Sequence, residues 1–360
     1  MRTYSKDGSD QFNEYLDSVL NTLSEEIEQA VGPPFIALIL AGGYGRGEGA
    51  CVIRDGRESP YNDFDLFLVV RDSYVVGQKV LEVTHSYEKL LNIEVDIGRP
   101  LTLRTIRRLP HQLMWQDLLQ SHIVLRGPHD ILSANAPSCL SENLPQVEAL
   151  RLLLNRGSGL AQAIAHRHDM INDPSASPPD EDFIRRNRQK CTLALGDSLL
   201  ITHGMYAPPL DLRLERLTES IGSFGVHQPE QILSLYTEAS AFKTRPDSVP
   251  TEQPSLDDLK EIASLWIQTM LHCESVRTGR SWENGKLYAE DSYRRESGQH
   301  TPVNLPRNLV KNLKRGKLSF SYPRESLYGQ LAVLLSTPEP EKSSWREDFR
   351  RFYDQWVQYN

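Results

Sequence analysis

Asp63 and Asp65 stand two residues apart in "YNDFDLFLVV", at the head of an apolar run. On a strand, residues i and i+2 point to the same side. Two carboxylates pressed together repel each other unless a cation sits between them. Hard oxygen ligands at this spacing suit Mg²⁺, which takes one or two carboxylates together with substrate phosphates. A bare Asp-x-Asp is common as a solvated pair at a strand start. Here it comes after "AGGYGRGEG" (41–49), a stretch with five glycines whose only charges are Arg46 and Glu48. Such a stretch turns sharply or lets the backbone come close to something. A third acid is offered by "IEVDI", which sets Glu94 and Asp96 on one side and Ile93, Val95 and Ile97 on the other. Asp96 is the better candidate, lying nearer the end of its strand. Three acids on two adjacent strands beside a glycine loop are the parts of a two-metal phosphoryl-transfer site.

The surrounding pattern supplies elements to position them. Phe12, Tyr15, Leu16, Val19, Leu20, Leu23, Ile27 and Val31 recur at helical spacing, and Gly32-Pro33-Pro34 stops the helix. "FIALILA" (35–41) reads as a buried strand leading into the glycines, and "DLFLVV" (65–70) as a second. Between them, "ACVIRDGRESPY" predicts a hairpin. Residues 74–91 read as a helix with Val75, Val76, Val80, Val83, Tyr87, Leu90 and Leu91 inward. "IEVDIG" (93–98) and "HIVLRG" predict further strands, closing an α/β unit near residue 127. Beyond residue 145, helical patterns dominate over 145–169, 181–204, 229–242, 255–279 and 344–358, with a loop at 172–182. The expected division is an N-terminal domain over 1–140 and an all-α domain over 141–360.

The 360 residues carry a net charge of −8, which argues against a protein that grips nucleic acid over a long footprint. Cys51, Cys139, Cys191 and Cys273 are too scattered for a zinc or redox motif, and read as reduced thiols. The first fifteen residues lack the apolar core of a secretory signal, and the run at 35–41 is too short to span a membrane. A soluble, cytoplasmic protein without membrane association is expected.

Three glycine signatures fail. No lysine comes next at P-loop spacing. The sixth position from Gly43 is Glu48, which breaks the dinucleotide fingerprint. The kinase loop fails on the same spacing. Gly42-Gly43, Asp63-Phe64-Asp65 and Asp96 instead resemble the nucleotidyltransferase superfamily of DNA polymerase β. "GGYGRGEG…NDFDLFLVV" is most similar to its small bacterial branch, which includes antitoxin-type protein adenylyltransferases and aminoglycoside nucleotidyltransferases. The resemblance covers about residues 35–127. The gap between glycines and Asp63 is longer than is usual there, and Gly43 replaces the commoner serine.

The resemblance implies an α+β fold, with a nucleotidyltransferase-type mixed sheet flanked by helices and followed by the all-α domain. It implies an Mg²⁺-dependent nucleotidyltransferase using two ions and a nucleoside triphosphate, with ATP expected. A nucleoside monophosphate would pass to a hydroxyl of a small-molecule or protein acceptor, with release of pyrophosphate. Asp63 and Asp65 would hold the metals. Asp96 would hold the metal beside the acceptor and take the hydroxyl proton. Backbone N–H groups of Gly42 and Gly43 would meet the phosphates with Arg46 as charged partner, while Glu48 holds Arg46 or the loop.

Other readings stay open. "ILAGGYG" also matches the opening of sugar-phosphate nucleotidylyltransferases, although Arg46 comes one place early for that pattern and its later lysine is missing. An Asp-x-Asp glycosyltransferase would have the apolar strand run into the acids rather than out of them. A non-catalytic nucleotide-sensing or interaction module could keep the same fold. In the helical region, Lys190, with Arg186 second, is the candidate cation for the triphosphate, on a helix where Asn187, Ala194 and Asp197 share its face. The stretch 307–317 carries Arg307, Lys311, Lys314, Arg315 and Lys317 without an acid, and suits an anionic acceptor or plain solvent. Trp345, Phe349, Phe352, Tyr353 and Trp356 read as one packed helix.

Overall fold

The structure, a computed structural model, describes residues 2–359 except 62, 73, 173–180, 250, 251, 315 and 317. Most of the expected loop at 172–182, together with Arg315 and Lys317, therefore lies outside the described residues. The chain has an α+β architecture and divides into two compact units. One comprises 1–145, 204–216 and 237–251. The other comprises 146–203, 217–236 and 252–360. A single boundary near residue 140 does not provide for the two later segments that fold with the first unit.

The strands are β1 (Phe35–Leu40), β2 (Cys51–Arg54), β3 (Arg57–Pro60), β4 (Phe64–Val70), β5 (Val95–Ile97), β6 (Leu101–Thr102) and β7 (Ile123–Arg126). The main sheet is mixed. β4 lies between β1, antiparallel to it, and β5 and β6, both parallel, while β7 pairs with the far side of β1. β2 and β3 form the expected hairpin, turned by Asp55 and Gly56 at φ 50° and 75°. Two adjacent positive φ values are what a two-residue hairpin turn requires.

Helices of this part are α1 (Asp10–Val31), α2 (Gly42–Gly45), α3 (Gln78–Leu91), α4 (Leu103–Ile106) and α5 (Leu113–Gln120). Ser9 caps α1, its hydroxyl accepting from the Phe12 N–H. Leu16, Leu20, Leu23 and Ile27 of α1 pack with Val80 and Tyr87 of α3 on Leu38, Leu40, Phe64, Leu66 and Leu68. The opposite sheet face, with Ala37, Ile39, Val69 and Val124, packs on Ile106, Leu109 and Leu118. The expected helix over 74–91 begins only at Gln78, after Gly77. Val75, expected inward, precedes the helix and is 87% exposed. Leu90 lies on the helix but is 63% exposed, because the buried stripe passes through Val80, Thr84, Tyr87 and Leu91 and leaves it to one side.

The remaining helices are α6 (Val147–Asn172), α7 (Glu181–Thr202), α8 (Leu210–Ser220), α9 (Pro229–Thr244), α10 (Leu256–Thr278), α11 (Gly285–Glu290), α12 (Leu305–Leu313), α13 (Glu325–Ser336) and α14 (Ser343–Tyr359). Within the second unit, small residues on α6 let its neighbours approach closely. A Cβ on Gly157 would stand 2.7 Å from the Trp266 indole, and one on Gly159 would stand 2.2 Å from Asn187 Oδ1. The Trp266 indole donates to the Leu153 carbonyl at 2.9 Å. On α14, Trp345, Phe352 and Trp356 are buried, as a packed helix requires.

Candidate active site

Asp65 and Asp96 are register partners on the parallel strands β4 and β5. Neighbouring strands lie about 4.8 Å apart, so these two acids stand side by side on one sheet face. Phe64 and Leu66 point to the other face, into the core beneath α1 and α3. Asp63, two residues before Asp65, lies just outside β4 and is exposed. Asp96 is also exposed, whereas Asp65 is half-buried.

β1 runs antiparallel to β4, so its C-terminal end meets the start of β4, where these acids are. The glycines therefore begin beside Asp65. The Ala41 N–H donates to the Asp65 carbonyl at 2.9 Å. Beyond Ala41 the chain makes one helical turn rather than an open loop. Gly42 opens it at φ +63°, and a Cβ there would stand 1.8 Å from Asp65 Oδ2. Gly42 is thus required twice, by its backbone and by the carboxylate. Gly43 has no such constraint, since a Cβ would meet nothing nearer than the Glu48 carbonyl at 3.4 Å. As first residues of a helical turn, Gly42 and Gly43 have N–H groups with no acceptor inside it.

The rest of the glycine stretch is explained by packing. Tyr44 is buried, packs edge-on against Phe64 at 4.9 Å, and donates its hydroxyl to the Ala50 carbonyl at 2.6 Å. A Cβ on Gly49 would stand 2.0 Å from the Tyr44 ring. The N-terminal segment seals this stretch, with the Gly49 N–H donating to the Tyr4 carbonyl and the Lys6 N–H to the Gly47 carbonyl. Asn13 Oδ1 accepts from the N–H groups of Tyr4 and Ser5, which holds that segment on α1.

Arg46 is mostly buried and sits among acids. Its Nε lies 3.2 Å from Glu48 Oε2, and a terminal nitrogen lies 3.8 Å from Asp117 Oδ2. Glu48 uses its other oxygen to accept from the Leu210 N–H at 2.6 Å, which ties in the 204–216 segment. The Tyr206 hydroxyl lies 3.1 Å from both oxygens of Asp117. Burial raises the Asp117 carboxyl above its ordinary value, opposed by Arg46, Arg213, the Tyr206 hydroxyl and Lys243. Arg213 is itself buried and lies over the Tyr206 ring. The pairing of Glu48 with Arg46 was expected from the sequence, but the part of the network built on Asp117, Tyr206 and Arg213 was not. The one available signal was Asp117 itself, a lone acid in the otherwise uncharged helix "LMWQDLLQ".

The candidate cations of the helical region belong to the second unit. Lys190 is exposed on α7. Arg186 pairs with Asp182 one turn earlier, at 3.0 Å. Asp197, assigned to the same helix face as Lys190, is buried and accepts from the Tyr236 hydroxyl at 2.7 Å, so that face is not uniformly solvated.

The donors Asp63, Asp65 and Asp96 are hard oxygens of the kind Mg²⁺ takes. The missing side chain at Gly42 leaves the Asp65 carboxylate its place. Asp65 and Asp96 therefore suit a hard cation in type and in sheet face, and Asp63 in type. Among the described residues, however, no three or more His, Cys, Asp or Glu side chains are gathered in a metal-holding group.

No family model matches this chain, and no curated protein does. Among solved structures, it is similar to a nucleotidyltransferase-like protein from Exiguobacterium sibiricum 255-15 at 13% identity and a TM-score of 0.22, over 84% of this chain and 92% of that one.

Proposed function

We propose that the first unit is an Mg²⁺-dependent nucleotidyltransferase that moves a nucleoside monophosphate, with AMP from ATP expected, onto a hydroxyl of a small-molecule or protein acceptor. The observation that supports this reading is the Asp65–Asp96 register pair beside the Gly42 turn, with Asp63 two residues away. Asp63, Asp65 and Asp96 would hold Mg²⁺, which when bound neutralises phosphate charge and polarises the acceptor oxygen. Gly42 and Gly43 present backbone N–H groups to the phosphates. Asp96, exposed on its short strand, takes the proton from the acceptor hydroxyl. The hydroxyl oxygen bonds to the α-phosphorus as the bond to the bridging oxygen breaks, and pyrophosphate leaves. Arg46, the proposed charged partner of the phosphates, is held near the turn by Glu48 and Asp117, which offset its charge.

One observation favours a second reading, a non-catalytic nucleotide-binding module: the described acids are not gathered into a three-ligand group. Two variants separate the readings. Asp63→Asn with Asp65→Asn abolishes Mg²⁺-dependent ATP binding, measured by titration calorimetry, while leaving the fold intact. Asp96→Ala binds ATP but releases no pyrophosphate. Unchanged binding by the double variant excludes these acids as the site. Wild-type protein that binds ATP and never releases pyrophosphate, with lysate or metabolites supplied, favours the second reading.

A further inference from the structure

Residues 297–324 contain no aspartate or glutamate, in a chain whose net charge is −8. Within that stretch, the fully buried positions of α12 are polar. Its buried positions are Asn308 and Asn312. Their amides donate to the carbonyls of Gln299, Ser319, Phe320 and Ser321, clamping the flanking segments to the helix. Of its apolar positions, Leu305 and Leu309 are half-buried, while Val310 and Leu313 face solvent. Val310 is 53% exposed and Leu313 50%, with Val303, Leu318 and Phe320 more exposed still. Arg307, Lys311 and Lys314 are exposed around them and enter no ion pair among the described residues.

Large apolar side chains displayed in water forgo the free energy that burial would release. Fully buried asparagines beside an exposed leucine and valine depart from the usual helix pattern, whereas an isolated exposed leucine would need no such explanation. The cations define what could cover this face. A partner must offer negative charge and an apolar interior next to it. A nucleic acid offers phosphates but no aliphatic interior. The exposed residues are spread over a helix and both flanking segments, not along one groove-filling row. A fluid surface accepts that irregular arrangement, with anionic headgroups for the cations and acyl chains for the apolar side chains.

We propose that the exposed side of α12, with Val303, Leu318 and Phe320 from its flanks, is a peripheral docking face for an anionic lipid bilayer. This is independent of the chemistry proposed for the first unit. Among the described residues no helix is long and apolar enough to cross a membrane, and surface docking makes no such demand.

The test is co-sedimentation of the full chain with vesicles of phosphatidylcholine alone, and of phosphatidylcholine with about one-third phosphatidylglycerol. The protein pellets with the anionic vesicles only, and less as salt rises. Lys311→Glu with Lys314→Glu weakens binding by roughly thirtyfold or more, from about fivefold per cation. Val310→Ser with Leu313→Ser also weakens it, and both double variants keep the wild-type melting temperature. Phe320→Trp, otherwise wild type, shows a blue-shifted emission when anionic vesicles are added, so a variant that fails to fold leaves the proposal testable. The proposal is overturned by failure to pellet with anionic vesicles, by equal binding to phosphatidylcholine alone, or by indifference to the apolar substitutions. It is also overturned if Val310→Ser with Leu313→Ser abolishes self-association at the same protein concentration, or if a short DNA duplex binds this face more tightly than the vesicles do.

Discussion

Gly42 and Asp65 compete for one small volume: the carboxylate of Asp65 occupies the place where a side chain on residue 42 would begin, 1.8 Å from Oδ2. Gly42→Ala must therefore displace the carboxylate and also force an L-residue into left-handed backbone, the latter alone costing about 1–2 kcal/mol. Gly43→Ser meets only an ordinary contact. Thermal melts and ATP titrations should show Gly42→Ala destabilised and deficient in nucleotide binding, with Gly43→Ser near wild type in both. Equal behaviour of the two variants would show that the glycine turn does not shape the site.

Arg46 answers for one buried acid, Glu48, and one half-buried acid, Asp117. Arg46→Met leaves Glu48 and Asp117 without their shared cation, and breaking a buried pair on one side costs about 3–5 kcal/mol. Partial exposure and the nearby Arg213 place the expected loss toward the lower end. Chemical denaturation should show this destabilisation with or without ATP. A variant as stable as wild type would mean that Arg46 is not a structural cation, and any loss of nucleotide binding would then report a direct contact with phosphate.

The parts readable from the sequence were those with local signals. The α1 stripe, the two apolar strands, the Asp55-Gly56 hairpin and the long helices α6, α7, α9, α10 and α14 each arise from spacing and end signals within one segment. Alternation in "IEVDI" was enough to set Asp96 on the exposed side. What the sequence could not supply was register: nothing local says that Asp96 pairs with Asp65 rather than with Phe64 or Leu66. Nor could it place 204–216 and 237–251 with the first unit, because contacts such as Leu210 with Glu48 span 162 residues. Val75 misled for a related reason, since Gly77 delays the start of α3 and an apolar residue ahead of it carries no helical phase.

Asp117 should leave a signature in the pH dependence of stability. Its carboxyl is raised by burial, so the folded state keeps a proton that the unfolded chain has released. Stability from this group is therefore present at low pH and falls as pH rises from the ordinary aspartate value through the raised one. Melting temperatures of wild type and Asp117→Asn, taken across that range, should diverge in this direction. A difference that does not vary with pH would show that the proton is not retained.

His203 and His272 should act with the opposite sign. Burial lowers both below the ordinary 6.5, and His203 further lowers His272. His203 stacks on Phe224 with ring centroids 4.0 Å apart, and the two imidazoles are 5.9 Å apart. Their folded forms bind fewer protons than the unfolded chain, so stability is retained above 6.5 and lost as pH falls through the lowered values. His272→Gln should flatten the loss seen in calorimetric melts between neutral pH and the acid side. An unchanged slope would locate that sensitivity elsewhere.

Group transfer itself is read by the movement of label. The full chain is incubated with Mg²⁺ and each of ATP, GTP, CTP and UTP carrying label in the α-phosphate, with a lysate and a small-metabolite pool as acceptors. A nucleotidyltransferase built on Asp63, Asp65 and Asp96 leaves Mg²⁺-dependent label on an acceptor from one nucleotide, ATP by expectation, with matching pyrophosphate, and no label with Asp96→Ala. Label from no nucleotide on any acceptor, by a protein that binds ATP with Mg²⁺ in the same buffer, would contradict it.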